Sequence, residues 1–207
     1  MGGVVLVVLV VLAGVVVGLV QQGSFEGLTR TPVRLGRLLA GSLVLQLVVA
    51  VADGFGWISW LVIAAMLLSL AGLLAFALAN LRLAGMTLIA IGLLGNLLVI
   101  GLNGAMPVTD GALARSGRPV QRPATQTNQP RALERPDARH VRVDSDTRLP
   151  QLADALAVRP LRTVVSVGDI AQYAGLFLLV QGLMVGSSQA RRPRFQEFDY
   201  GVRGGGR

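Results

Sequence analysis

The residues of this chain best suited to chemistry are polar side chains at the edges of long apolar stretches. Asp169 follows Ser166 by three positions where the last apolar stretch begins, and a carboxylate within a membrane span is costly and often functional. The same Ser-x-x-Asp spacing also fits a capping box, in which the hydroxyl and carboxylate satisfy free amides of the first helical turn. The helix dipole favours an anion there as well. Both interpretations, a helix cap and a functional polar site, stay open at this point.

His140 is the only histidine of a chain without cysteine, which excludes a structural zinc site of the usual composition. Asp144, Asp146 and Asp154 could join it in a weak oxygen-rich site, but their spacing matches no known metal-binding loop. We therefore predict no metal and no cofactor, and we interpret His140 as solvated or interfacial. A pH-sensing or acid–base role is the alternative. The sequence also lacks a nucleophile elbow, a zincin helix and the order of a serine triad.

The composition is typical of a membrane protein rather than of a soluble domain. The 207 residues are 53% hydrophobic and only 14% charged, with a mean hydropathy of +0.62, whereas soluble domains carry about a quarter charged residues. All 19 basic residues are arginine, and the 11 acidic residues leave a net charge of +8. In a membrane protein the placement of this charge between the spans matters more than its total.

Five apolar stretches have the length of a membrane-spanning helix, for which about 20 residues are needed. They predict an all-α fold, a bundle of five transmembrane helices with one long loop on the outer face. The predicted spans are residues 3–20, 35–52, 55–79, 83–102 and 164–186. We interpret the first stretch as a retained span, because no basic region precedes it and no small-x-small cleavage site follows it.

The arginines of the short loops predict the orientation. The first and third loops and the tail after the fifth span contain arginine, and the second loop contains none. The positive-inside rule places these arginine-containing segments in the cytoplasm. We therefore predict a protein of the inner (plasma) membrane, with its N-terminus outside the cell and its C-terminus in the cytoplasm. The polar loop, residues 103–163, then faces outside despite its ten arginines and six acids, since long segments are translocated largely regardless of charge. The arginines of the two short loops are Arg30, Arg34, Arg37 and Arg82.

The polar loop and the tail have distinct compositions. Residues 107–136 contain few large apolar side chains, which predicts an extended or disordered excursion. Apolar residues recur at helical spacing within residues 149–157, which predicts a short amphipathic helix on the membrane surface. The basic tail, residues 187–207, is expected to contact anionic lipid. Its single Arg-Gly-Gly-Gly-Arg segment is weak support for nucleic acid, so we do not expect that partner.

Small and polar residues form a stripe along the fourth span and another along the fifth. Asn96 and Asn103 are seven positions apart and share a helix face with Gly92. Gly175 and Gly182 repeat at the same interval in the fifth span. Small residues let transmembrane helices approach closely, and amides bond across such contacts. The sequence therefore predicts that spans four and five pack together through Asn96, Gly92, Gly175 and Gly182; a substrate or ion path is the alternative.

Three segments together resemble a bacterial family of multi-pass membrane proteins that is defined only as a domain of unknown function. They are an Asn-Gly-x-Met-Pro-Val turn at 103–108, a Leu-x-Asp stretch at 152–154 and a Ser-x-Gly-Asp motif at 166–169. The order and spacing of these motifs are fairly specific, although Ala105 stands where the family more often has glycine. The resemblance implies the multi-pass architecture and brings no activity with it.

These observations favour a non-enzymatic membrane component, a structural, assembly or accessory protein that binds a protein or lipid partner in the bilayer. The alternative is a small transporter or a membrane-embedded enzyme with an outward-facing polar pocket, so the question of catalysis stays open. On either hypothesis we expect the shared motif residues to converge on the outer face. The candidate functional cluster comprises Asn103, Met106, Pro107, His140, Asp154, Ser166 and Asp169.

Overall fold

The computed structural model describes residues 2–54, 59–117 and 140–189. The described chain is mostly helical, with short strands between its last two long helices. Three predicted segments lie wholly or partly outside the described residues. They are most of the polar excursion, the start of the third predicted span and the basic tail from residue 190. The elements are α1 (Gly2–Val20), α2 (Glu26–Arg30), α3 (Gly36–Gly54), α4 (Ser59–Ala79), α5 (Met86–Asn103), β1 (Met106–Val108), α6 (Asp110–Ser116), β2 (His140–Arg142), β3 (Leu156–Val158), β4 (Thr163–Val165) and α7 (Val167–Gln189).

Four of the helices are long and apolar enough to cross a membrane, which confirms a multi-pass helical architecture. They are α1, α4, α5 and α7, with candidate spans at 2–20, 60–79, 86–103 and 167–186. A fifth apolar helix within α3, residues 36–51, is shorter, so its crossing of the membrane stays a prediction. Apolar side chains cover most of the outer surface of these helices, as contact with lipid requires.

The long helices pack in the order α3–α4–α5–α7–α1. The contact between α5 and α7 is the most extensive, and α5 also packs against α4, so α5 lies inside the assembly. The helices α1 and α3 stand at the two ends of this order, and each packs mainly against one neighbour. Most of their large apolar residues are accordingly exposed.

A small folded unit, which we call the cap (residues 104–117 and 140–166), covers one end of the helices. Its strand β1 pairs in parallel with β2, and β3 pairs antiparallel with β4. The helix α6 packs against both strands of the second pair, and Val108, Ala112, Leu113 and Val164 form a common apolar cluster. The sequence did not predict these strands, because each has only three residues. The prediction of an extended or disordered excursion over residues 107–136 is wrong at its start, since Asp110–Ser116 form the helix α6.

Residues 149–157 do not form the predicted amphipathic helix. One turn of 3-10 helix, Pro150–Leu152, is followed by strand β3. The backbone of Asp154 pairs instead with β1, donating to the Pro107 carbonyl at 2.8 Å and accepting from the Thr109 amide at 3.1 Å. These tertiary hydrogen bonds replace the bonds that a continuous helix would have formed, so local periodicity was a poor guide here.

Candidate functional site

Three polar side chains form a closed hydrogen-bonded ring between α5 and the start of α7. The Asn96 amide donates to one Asp169 carboxylate oxygen at 2.7 Å. The other carboxylate oxygen accepts from the Ser166 backbone amide at 3.0 Å, and the Ser166 hydroxyl accepts from the Asp169 amide at 3.0 Å. The hydroxyl in turn donates to the Asn96 oxygen at 3.2 Å. Ser166 and Asp169 therefore form a capping box, and Asn96 ties this box to the neighbouring helix.

Glycine makes the approach of the two helices possible. A Cβ atom added to Gly168 would overlap the side-chain oxygen of Asn96, and one added to Gly92 would overlap the Gly168 carbonyl oxygen. Further along, a Cβ on Gly175 would lie 2.6 Å from the carbonyl oxygen of Gly85, and one on Gly182 would lie 2.7 Å from the Ala84 Cβ. The helices thus meet backbone to backbone, and Asn96 reaches the start of α7 because residue 168 has no side chain.

Asn103 connects the end of α5 to the cap. Its amide nitrogen donates to the Val99 carbonyl at 2.7 Å and to the Arg148 carbonyl at 2.9 Å. Its side-chain oxygen accepts from the Arg148 amide at 2.8 Å. Gly104 follows with φ +70° and donates to the Ile100 carbonyl, which ends the helix in a left-handed cap. Pro107, three residues beyond Gly104, cannot continue the helix, so α5 ends here.

The strand β1 brings His140 and Asp154 to its two sides. Met106 lies opposite His140 in the parallel pairing with β2, and Val108 bridges to Asp154. Met106 is 7% exposed and Pro107 is fully buried. Because Pro107 has no N–H, its carbonyl is the group through which it pairs with Asp154. The Met-Pro-Val motif therefore serves as the buried strand that holds these two titratable residues together.

His140 and Asp154 are a largely buried pair, with 3.3 Å between the imidazole Nε2 and Asp154 Oδ2. The side chain of Asp154 is 5% exposed, and its second oxygen, Oδ1, has no hydrogen-bond partner among the residues that the structure describes. Asp154 and Asp169 lie close enough to interact electrostatically, and Tyr173 lies near both carboxylates. Two acids and a tyrosine thus lie near one another around the start of α7.

The site brings together the residues that the sequence singled out, in two neighbouring groups. The first is the ring of Asn96, Ser166 and Asp169, and the second is the pair of His140 and Asp154 across β1. Asn103 is not part of either group and holds the cap through its hydrogen bonds to the Arg148 backbone. Within the described ranges no group of three histidine or acidic residues could hold a metal ion.

Sequence reasoning missed two residues, Tyr173 and Asn80. Tyr173 follows Asp169 by four positions and so lies on the same helix face, which the spacing could have revealed. Asn80 lies at the opposite end of the helices and is fully buried. Its oxygen accepts from the Arg34 amide, and its nitrogen donates to the carbonyls of Arg34 and Phe76, each at 2.8 Å. No sequence signal links positions 34 and 80.

Four candidate spans and lipid-facing apolar helices define a multi-pass helical membrane protein, with a cap that is hydrogen-bonded to the helix ends. The model of the family of unknown function DUF5317 matches residues 30–181, and the chain belongs to this family. No curated protein and no solved structure matches the chain.

Proposed function

We propose that this protein is a non-enzymatic component of the membrane, a structural, assembly or accessory protein that presents its cap to a protein or lipid partner. The observation that carries this proposal is that three of the four polar residues in the shared motifs, Asn103, Ser166 and Asp169, have their side chains engaged in internal hydrogen bonds. Asn96, Ser166 and Asp169 bond to one another, and Asn103 bonds to backbone groups. Groups used in this way hold the cap on the helices and are poorly placed to bind or activate a substrate.

The proposed orientation places the cap outside the cell and the arginine-containing loops in the cytoplasm. Its support is that Arg30, Arg34 and Arg82 lie at the end of the helices opposite to the cap. The native chain has no cysteine, so single cysteines can report topology directly. An impermeant thiol reagent should label Arg148→Cys in intact cells and Thr29→Cys only after the cells are broken. The reverse pattern would refute the orientation.

Complementation of a gene deletion tests the non-enzymatic role. We expect His140→Ala and Asp169→Asn to complement the deletion phenotype whenever the variant protein reaches normal abundance in the membrane. A structural role requires the folded cap and tolerates the loss of an ionisable group. The exposed substitution Asp146→Asn is the control for altered charge on the cap.

A small transporter or a membrane-embedded enzyme is the second candidate, and one observation favours it. Asp154 Oδ1 is buried near a second acid, Asp169, and has no hydrogen-bond partner within the described part of the chain. Buried titratable groups without partners cluster at functional sites. An Asp154→Asn or Asp169→Asn variant that is abundant and folded yet fails to complement would favour this candidate. Full complementation by both variants would exclude a role for their charge.

A further inference from the structure

The end of the helices opposite to the cap has a surface formed by two loops that are tied together. We define this loop face as residues 21–37 and 80–85. The buried Asn80 side chain bonds to both backbone groups of Arg34 at 2.8 Å. The Arg82 guanidinium donates to the Pro32 carbonyl at 3.0 Å. Two loops that are about 50 positions apart in sequence therefore form one fixed surface.

The loop face has an excess of positive charge that its own residues do not neutralise. It contains four arginines and one acid, Glu26, which pairs with Arg30 at 2.7 Å. The remaining three arginines, Arg34, Arg37 and Arg82, are exposed, and none of them has an ion pair within the described part of the chain. Four arginines less one glutamate leave a net charge of +3 on this surface.

The cap has a different charge pattern, although it also contains arginine. Its described residues include five arginines and four aspartates, and Arg142 lies 3.6 Å from Asp110. Mixed charges of this kind give no large field of one sign. The uncompensated charge is thus a property of the loop face and not of the protein's ends in general.

The three arginines lie at or just beyond helix ends, where the predicted spans would meet the lipid headgroups. Arg37 lies in the first turn of α3, Arg34 precedes that helix by two residues, and Arg82 follows the end of α4 by three. The guanidinium group has five donors in a planar fork that matches phosphate oxygens, and Arg82 uses one of its nitrogens on the Pro32 carbonyl. Because all three side chains are exposed, most of this donor capacity is accessible to a ligand.

We propose that Arg34, Arg37 and Arg82 form a binding surface for the phosphates of anionic lipid headgroups. Charge complementarity at the membrane surface and the fixed geometry from Asn80 together select this partner over a zwitterionic lipid, in which a positive group offsets the phosphate. An acidic protein segment would need to compete with lipid already present at this depth.

Lipid binding to the purified full-length protein tests the proposal. Native mass spectrometry after incubation with equal amounts of phosphatidylglycerol and phosphatidylcholine gives the ratio of bound lipids. We expect the unaltered chain to prefer the anionic lipid and the triple variant Arg34→Gln, Arg37→Gln, Arg82→Gln to lose this preference by about tenfold or more. The matched control replaces three exposed cap arginines, Arg148, Arg159 and Arg162, and should keep the preference.

Two further measurements separate lipid binding at the loop face from misfolding of the variant and from binding of free phosphate. Lysine at the same three positions should restore most of the preference, which excludes misfolding as the cause of its loss. Millimolar glycerol phosphate should not displace the lipid. The proposal is overturned by a loop-face variant that keeps the preference, by an equal loss in the cap control, or by displacement with the soluble phosphate. It is also overturned if replacing Arg191, Arg192 and Arg194 of the tail removes the preference while the loop-face variant does not.

Discussion

The Asn96 amide and the Asp169 carboxylate are joined by a hydrogen bond of 2.7 Å across the contact between α5 and α7. The two residues are 73 positions apart, and the whole cap lies between them in sequence. The same carboxylate caps α7 through the Ser166 amide. One side chain therefore sets both where α7 begins and which helix it packs against.

A double-mutant cycle on this pair should show strong coupling. Asn96→Ala and Asp169→Ala each remove one partner of a charge-assisted bond, so the double variant should lose less stability than the sum of the single losses. We expect a coupling of about 1–2 kcal/mol in the free energy of unfolding. Denaturant titration in detergent followed by circular dichroism measures it. The control cycle of Asn103→Ala with Asp169→Ala should be additive, and equal coupling in the two cycles would contradict the contact.

Gly92→Ala should destabilise the protein by about 1–3 kcal/mol. The added methyl group would overlap the Gly168 carbonyl and lie 2.7 Å from Gln172 Cγ, so the helices would have to separate. Gly95→Ala is the matched control in the same helix, because its nearest contact would be Leu152 Cδ1 at 3.9 Å. Thermal unfolding in detergent distinguishes the two. Equal melting temperatures for both variants would refute close packing at Gly92.

Asn80→Ala should cost about 2–4 kcal/mol in the free energy of unfolding, because it removes three hydrogen bonds made by a fully buried side chain. Denaturant titration in detergent, followed by circular dichroism, measures this cost. Thr29→Ala serves as the control, since its exposed hydroxyl donates to the Glu26 carbonyl within its own turn, and it should change stability by less than about 0.5 kcal/mol. A cost for Asn80→Ala as small as that of the control would mean that the loops are not tied together through this side chain.

Removal of His140 should destabilise the cap, and neutralising Asp154 should restore part of the loss. His140→Ala leaves a largely buried carboxylate without its imidazole partner, at a cost of about 2–3 kcal/mol. Adding Asp154→Asn removes the buried charge and should recover about 1 kcal/mol. Hydrogen exchange of the β1 and β2 amides reports the stability of the cap. Adding Asp146→Asn to His140→Ala instead should recover no stability, because Asp146 is exposed. Recovery with this control would show that the net charge of the cap, and not the buried Asp154 carboxylate, causes the loss.

The features that depend on local chemistry could be predicted from the amino-acid order alone. Long apolar stretches require lipid around them, which indicated the multi-pass helical class. Gly104 followed by Pro107 fixed the end of α5, because a left-handed glycine stops a helix and proline prevents its continuation. The Ser166–Asp169 spacing indicated the capping box as one of two interpretations.

The way in which these local features combine depends on contacts between distant segments. Asp154 lies in a stretch with helical periodicity, yet it pairs with β1, because hydrogen bonds to a distant strand outweigh the weak preference of a few residues. The contacts of Asn80 with Arg34, and of Asn103 with Arg148, join segments about 45 positions apart. Such partners are chosen by the geometry of the packed helices, which local spacing does not encode.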